Sequence, residues 1–335
     1  MKNVIAGAGA VLAALVSFSA ALALESDEPG PPYEGPVIDV HVHAYPANGN
    51  GPPPLAVCVG VAADLEYDPA VPWPQFFTAL SKNPDCDDPI WGPETDEEVR
   101  DQTIAAMRKH NVRGVLSGAP SEVAAWRAAA PSLFIAGRSL NIVRDDVAPQ
   151  DIENEFRNGG FEVLAEVSNQ YAGVLADDPA FDPYWAVAAE HDIPVGLHLG
   201  VGPPGSPMLY PDFRAQTPLR IESILNRHPG LRVYLMHAGF PFMDEMKAML
   251  YLYPQLYVDT GVLQIAAPRE EYYAYLEELV RAGFADRIMF GSDQMNWPGL
   301  IEEGIDAINE APFLTYEQKK DILHDNAARF LRLEE

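Results

Sequence analysis

His41 and His43 close the apolar run Val37-Ile-Asp-Val-His-Val-His43. In a β-strand, residues two apart share a face, so the alternation predicts that Asp39, His41 and His43 project together. Two imidazoles at a strand end can grip one cation, and neutral imidazole is the commonest metal-binding side chain. Alone, an H-x-H pair more often only decorates a strand end. What decides for chemistry lies far downstream. Pro194-Val-Gly-Leu-His198, Val233-Tyr-Leu-Met-His237 and Ile288-Met-Phe-Gly-Ser-Asp293 are apolar runs that each close on a possible ligand, and Phe161-Glu-Val-Leu-Ala-Glu166 carries a carboxylate near its end.

Those ligands need elements that bring sequence-distant strand ends together. Between Val112 and Arg287 the chain repeats short apolar runs and amphipathic stretches. Strands are predicted over 112–117, 133–137, 162–167, 193–199, 232–237, 256–259 and 287–292. Helices are predicted over 95–110, with Thr95 as its cap, and over 121–130, 151–157, 182–191, 217–228, 242–252, 270–282 and 315–333. Continuous apolar strands alternating with amphipathic helices indicate a parallel sheet covered by helices. With Val37–His43 this makes eight βα units, which favours an α/β fold closed as a (β/α)8 TIM barrel. Neither a G-x-G-x-x-G nor a Walker-type loop supports an open nucleotide-binding sheet. Barrel active sites sit at the C-terminal ends of the strands, where these ligands fall. The long stretch 45–93, rich in proline and aromatics, follows the first strand and is expected as a rim insertion over that mouth.

The 335 residues carry 22 basic and 49 acidic side chains, a formal charge of −27, with 48% hydrophobic content. So acidic a surface weighs against binding phosphate backbones or anionic membranes, so the expected partner is a small-molecule substrate. A homo-oligomer is compatible with the chain. Met1–Ala23 has the pattern of a secretory signal peptide: Lys2, an apolar stretch and Ala21-Leu-Ala23 before an acidic, proline-rich segment. The expected location is therefore secreted or periplasmic, with no stable membrane anchor after cleavage, and residues 24–335 as one catalytic domain. Cys58 and Cys86 fall within the insertion. In an oxidising compartment a disulfide there would contribute roughly 2–4 kcal/mol; two free thiols are the alternative.

The motifs Asp39-Val-His-Val-His43, His198, Met236-His-Ala-Gly239, Phe290-Gly-Ser-Asp293 and Asn326-Ala-Ala-Arg-Phe330 together resemble the amidohydrolase superfamily, specifically amidohydrolase family 2. The resemblance spans nearly the whole chain after residue 23. It implies a hydrolase or decarboxylase with one or two divalent metals. It implies that His41, His43 and Asp293 hold one metal. His198 completes that shell in one-metal members or binds the second metal in two-metal members, and His237 binds the second metal or faces the substrate. The carboxylated lysine that often bridges two metals has no counterpart at the fourth strand. Glu166 could bridge instead, as a glutamate does in the DNase-like branch; a rim salt bridge is its other reading.

Three imidazoles and a carboxylate suit zinc, whereas an oxygen-rich set suits magnesium or calcium. On such a cation water ionises near neutral pH and can attack an amide, lactone or ester carbonyl. Asp293 is the expected proton shuttle, and His237 stabilises the oxyanion if it is not a ligand. Asp39 is expected to orient a ligand imidazole or to pack beneath the metal. Decarboxylation of an aromatic or unsaturated acid is the second expectation and a DNase-like phosphodiesterase the third, disfavoured by the acidic charge and lack of a basic groove. Arg214 is a candidate clamp for a substrate carboxylate, with a solvated surface side chain as its other reading, and Trp297 is a candidate apolar wall, with packing on the last helix as the alternative. His110, His191 and His228 read as helix C-terminal residues, and His324 as part of the last helix.

Overall fold

In the computed structural model, which describes residues 30–60 and 65–333, every residue of Val37–Ala44 (β1) is buried. A strand covered on both faces belongs to the parallel layer of an α/β protein. The others are β2 (Val112–Gly118), β3 (Phe134–Ala136), β4 (Leu164–Val167), β5 (Val195–Leu197), β6 (Val233–Leu235), β7 (Leu256–Asp259) and β8 (Ile288–Met289). β1, β2 and β3 pair in parallel, as do β4 through β8 in sequence order. Parallel bridges Gly137–Val163 and Leu140–Val167 join β3 to β4. At the other seam, Val40 N–H donates to Phe290 O and Asp293 N–H to His41 O, each at 2.9 Å. These contacts complete the TIM barrel expected from the sequence.

Helices Asp96–Lys109, Pro120–Ala129, Pro149–Arg157, Asp182–Glu190, Met243–Leu252 and Arg269–Arg281 lie where predicted, within a residue or two. Thr95 caps the first through a reciprocal box: its hydroxyl accepts from Glu98 N–H, and Glu98 accepts from Thr95 N–H. His110, His191 and His228 sit at helix C-caps as expected.

Three helix expectations need correction. The stretch 217–228 is a 3-10 turn, Pro218–Ile221, followed by the short helix Glu222–Arg227. Leu300–Glu310 is a helix missing from the predicted set, although Leu300, Ile301, Gly304, Ile305, Ala307 and Ile308 form its buried stripe. The terminal helix is interrupted: a π turn over Asp321–Asp325 separates Tyr316–Lys320 from Asn326–Leu331. Ile322 O there accepts from Phe290 N–H at 2.8 Å, so a helix carbonyl is spent on the chain leaving β8.

A bulge breaks the alternation predicted for β1. Asp39 pairs with Gly114 and Val42 with Leu116, so two residues of β1 face one of β2. Ile38 and Val40 therefore join an inner cluster with Tyr234, Met236 and Met289, whereas Val42 packs in the outer core against the helices. Tyr234 crosses the barrel interior and donates its hydroxyl to Val40 O at 2.9 Å.

The insertion is more ordered than its composition suggests. It contains the helix Trp73–Lys82, a two-residue antiparallel ladder between Ala56–Val57 and Ile90–Trp91, and a Cys58–Cys86 disulfide. Trp73 packs so closely on Gly205 that a Cβ there would lie 1.9 Å from the indole. Trp297 fixes the insertion to the rim: it is buried with Leu55, Val57, Ile265 and Leu300, and its indole N–H donates to Leu55 O at 2.9 Å. Trp297 thus serves as an anchor under the insertion, the packing alternative to a substrate wall. Replacing Trp297 with Ala should cost about 3–5 kcal/mol, the usual range for deleting a buried large aromatic. Chemical denaturation checks this, and an unchanged midpoint would mean that the insertion does not depend on that anchor.

The expected signal peptide, residues 1–23, lies outside the described residues. Among the described residues no helix is long and apolar enough to cross a membrane.

Candidate metal centre and active site

All six candidate ligands anticipated from sequence lie at the C-terminal ends of barrel strands. His41 and His43 come from β1 and Glu166 from β4, while His198, His237 and Asp293 stand just beyond β5, β6 and β8. His43 Nε2 is 3.1 Å from Asp293 Oδ1 and 3.8 Å from Glu166 Oε2, and His198 Nε2 is 3.8 Å from Glu166 Oε1. His41 Nε2 faces Asp293 Oδ1 at 3.7 Å. The His237 ring lies 5.3 Å from that of His41 and 4.6 Å from that of His198, centroid to centroid. Ligand atoms of His41, His237 and Asp293 fall within 4.8 Å of one another, and so do those of His41, His43 and Glu166.

The histidines are pre-oriented. His237 Nδ1 lies 2.8 Å from Gly261 O; a carbonyl only accepts, so Nδ1 carries a proton and Nε2 is the nitrogen left to meet a ligand. His43 Nδ1 meets Ser117 Oγ at 3.2 Å, and its backbone is clamped by Gln294, which accepts from His43 N–H and donates to His43 O. His41 Nδ1 pairs with Asp259 Oδ2 at 3.0 Å, while its Nε2 is buried and has no partner. A buried polar atom without a partner is costly. Here it faces a carboxylate in a cluster of imidazoles, and a cation among them would satisfy it.

The charge balance agrees with that fit. Burial opposes a charge on His41, but Asp293 and Asp259 overcome it and push its pKa up to about 10. Burial likewise opposes ionisation of Asp293, yet His41, a hydrogen bond from His43 and the charges of His43 and His237 hold its carboxyl well below the usual carboxylate range. The pocket therefore stabilises positive charge beside an ionised Asp293. His198 stays neutral because burial, reinforced by His237, holds its pKa well below the ordinary imidazole value.

Backbone geometry marks the same place. His237, Ala238 and Asp293 have φ of 59°, 48° and 48°, a region that side-chain-bearing residues seldom occupy. Such strain concentrates at functional sites, where the surrounding structure holds it in place.

Two neighbours of the candidate ligands escaped the sequence reading. Tyr171, in the loop after β4, places its hydroxyl 3.0 Å from His198 Nε2 and packs its ring against Tyr210 and Phe213. Burial holds its pKa well above the usual phenol value, so a protonated hydroxyl stands beside His198. No spacing rule points to a lone tyrosine in a loop. Asp259 is the other; its signal was present, since it closes the seventh apolar run at the catalytic end.

The reading of Asp39 as orienter of an imidazole is corrected. The bulge turns its carboxylate onto backbone N–H groups of His41 (2.9 Å) and Ser292 (3.0 Å), and Asp259 holds the His41 ring instead. Burial raises the Asp39 pKa to about 6. Arg214 is exposed, and its backbone N–H donates to Gln170 O. His110 pairs with Glu302, His191 with Glu153, His228 with Asp182 and His324 with Asp325, each apart from the six candidate ligands.

A family model described as amidohydrolase matches residues 38–333. The chain belongs to the amidohydrolase family. Three solved structures share its barrel. A probable 2-pyrone-4,6-dicarboxylic acid hydrolase from Acinetobacter baumannii is 13% identical, over 89% of this chain and 100% of that one, with a TM-score of 0.57. A 2,6-dihydroxybenzoate decarboxylase from Rhizobium is 16% identical over 91% and 99%, with a TM-score of 0.53. An uncharacterized TIM-barrel protein from Bordetella bronchiseptica is 22% identical over 68% and 81%, with a TM-score of 0.52. At these identities the likeness speaks for the fold of this amidohydrolase and not for its substrate. Protein fluG of Emericella nidulans is 23% identical over 138 residues, 40% of this chain but only 15% of that protein's length. Amidohydrolases generally use a divalent metal, and the His/Asp/Glu cluster of this one is a candidate site for it.

Proposed function

We propose that this amidohydrolase is an exported, metal-dependent hydrolase that directs water onto the carbonyl of an amide, lactone or ester in a small-molecule substrate. The observation that carries the reading is that His41 gathers with His237 and the ionised Asp293 on one side and with His43 and Glu166 on the other, with His43 also 3.1 Å from Asp293. His41, His43, His237 and Asp293 would hold the ion, with zinc the metal that this donor set suits. When bound, the cation polarises the scissile carbonyl and acidifies water. Asp293 takes the proton of the attacking water and returns it to the leaving group. The insertion, stitched to the loop after Asp293 by Asn50–Asn296 and Trp297–Leu55 hydrogen bonds, helps to exclude bulk water from the mouth. Export is supported by the Met1–Ala23 pattern and by the Cys58–Cys86 disulfide, which suits an oxidising compartment.

One observation favours decarboxylation of an aromatic acid as the second reading. Tyr45 stands beside His43 with ring centroids 6.1 Å apart, and Tyr171, Tyr210 and Phe213 form an aromatic cluster against His198. Such a wall suits a planar ring. Assay of the metal-loaded protein against lactones, esters, amides and aromatic acids separates the two. Hydrolysis products without carbon dioxide support the first; carbon dioxide release overturns it in favour of the second.

Glu166, equidistant at 3.8 Å from His43 and His198, is proposed to bridge a second ion. Elemental analysis should then find about two metals in the native protein and about one in Glu166→Ala. Equal stoichiometry in the two proteins would return Glu166 to a rim ion pair.

A further inference from the structure

Asp259 is fully buried and accepts three hydrogen bonds from three different groups of the site. Its Oδ1 takes the backbone N–H of His237 and of Gly261, both at 2.9 Å, while Oδ2 takes His41 Nδ1 at 3.0 Å. Two residues on, Gly261 O takes His237 Nδ1 at 2.8 Å. The turn from Asp259 to Gly261 therefore contacts the same nitrogen, Nδ1, of two imidazoles that flank it, one from β1 and one from the end of β6. The turn is itself held: Thr260 N–H donates to Met289 O, and Thr260 Oγ1 accepts from Gly291 N–H and donates to Gly291 O. There is no slack beside it. A Cβ added at Gly261 would lie 2.6 Å from His41 Nδ1 and 3.3 Å from Asp293 Cβ.

We propose that Asp259 is a positioning residue that sets the tautomer of His41, in concert with Gly261 O on His237, so that both rings present a bare Nε2 to the same cation. This rests on the proposed metal-centre reading. The two oxygens of Asp259 are not interchangeable with an amide. In Asp259→Asn the two backbone N–H groups hold the oxygen side, which turns the NH2 towards His41 Nδ1. Donor then faces donor, and His41 relieves the clash by moving its proton to Nε2, the nitrogen aimed at Asp293. Partners that orient a ligand histidine commonly contribute about 10–100-fold in metal affinity.

The test is a zinc titration by chelator competition on wild type, Asp259→Asn and His41→Ala, each checked for folding by thermal melting. A folded Asp259→Asn protein whose zinc affinity falls about 10–100-fold supports the proposal. Wild-type affinity in that folded variant, alongside a loss in His41→Ala, overturns the role of Asp259 and leaves the metal centre standing. Wild-type affinity in His41→Ala removes the metal-centre reading itself. Should Asp259→Asn fail to fold, nitrogen-15 NMR of the zinc-loaded wild-type imidazoles decides. Zinc on His41 Nε2 with an exchange-protected Nδ1–H supports the assignment, and zinc on Nδ1 overturns it.

Discussion

Asp293→Asn should abolish most turnover while leaving substrate binding nearly intact. Asparagine keeps the shape of the side chain, and it is one of the few residues that tolerate a positive φ, here 48°, without added strain. Its backbone N–H can still donate to His41 O across the seam between β8 and β1. What it loses is the ionised carboxylate that His41, His43 and His237 hold in place. An amide cannot accept the water proton, and that loss falls on the transition state rather than on the bound substrate. General acid–base catalysis is typically worth about 10²–10⁴-fold, so kcat should fall in that range with KM little changed. The comparison must be made at matched metal occupancy, because Asp293 is also a candidate ligand. Near wild-type turnover in the metal-loaded variant would make Asp293 a structural ligand only and move the proton shuttle to His237 or beyond.

The parts of this site that were legible in the sequence share one property. His198, His237 and Asp293 each end a short apolar run, and a polar residue in that place has few structural uses other than facing the mouth of a parallel barrel. Asp259 ends such a run too, but a lone acid after a strand also reads as a turn residue, and only the 3.0 Å contact with His41 distinguishes the two. Asp39 shows the limit of alternation. Period-two reasoning assumes an unbroken ladder, and the extra residue in β1 between Asp39 and Val42 shifts the face of everything before it. No local signal announced that bulge. The helix Leu300–Glu310 was visible as an apolar stripe, but its start follows the Trp297-Pro-Gly turn without a side-chain cap, so the boundary signals were weak. The insertion was the least legible segment. Its order comes from contacts remote in sequence, Trp73 on Gly205 and Trp297 under Leu55, which composition cannot reveal. The disulfide was open between two readings until Cys58 and Cys86 were placed together.

Metal removal carries the other large effect expected of this protein. Without a cation, the buried Nε2 of His41 loses its intended partner, and the carbonyl of the substrate loses its polarising group. Asp293 alone cannot replace that contribution, since a carboxylate neither polarises a carbonyl nor acidifies water. Activity should therefore vanish on chelation and return with zinc, manganese or cobalt, in proportion to the metal regained. The direct measurement is a chelation cycle in which metal content and turnover are determined on the same samples, once the substrate panel has supplied an assay. Loss and recovery of turnover in step with metal content is the predicted result. Full turnover in protein shown by elemental analysis to be metal-free would contradict the metal-dependent mechanism.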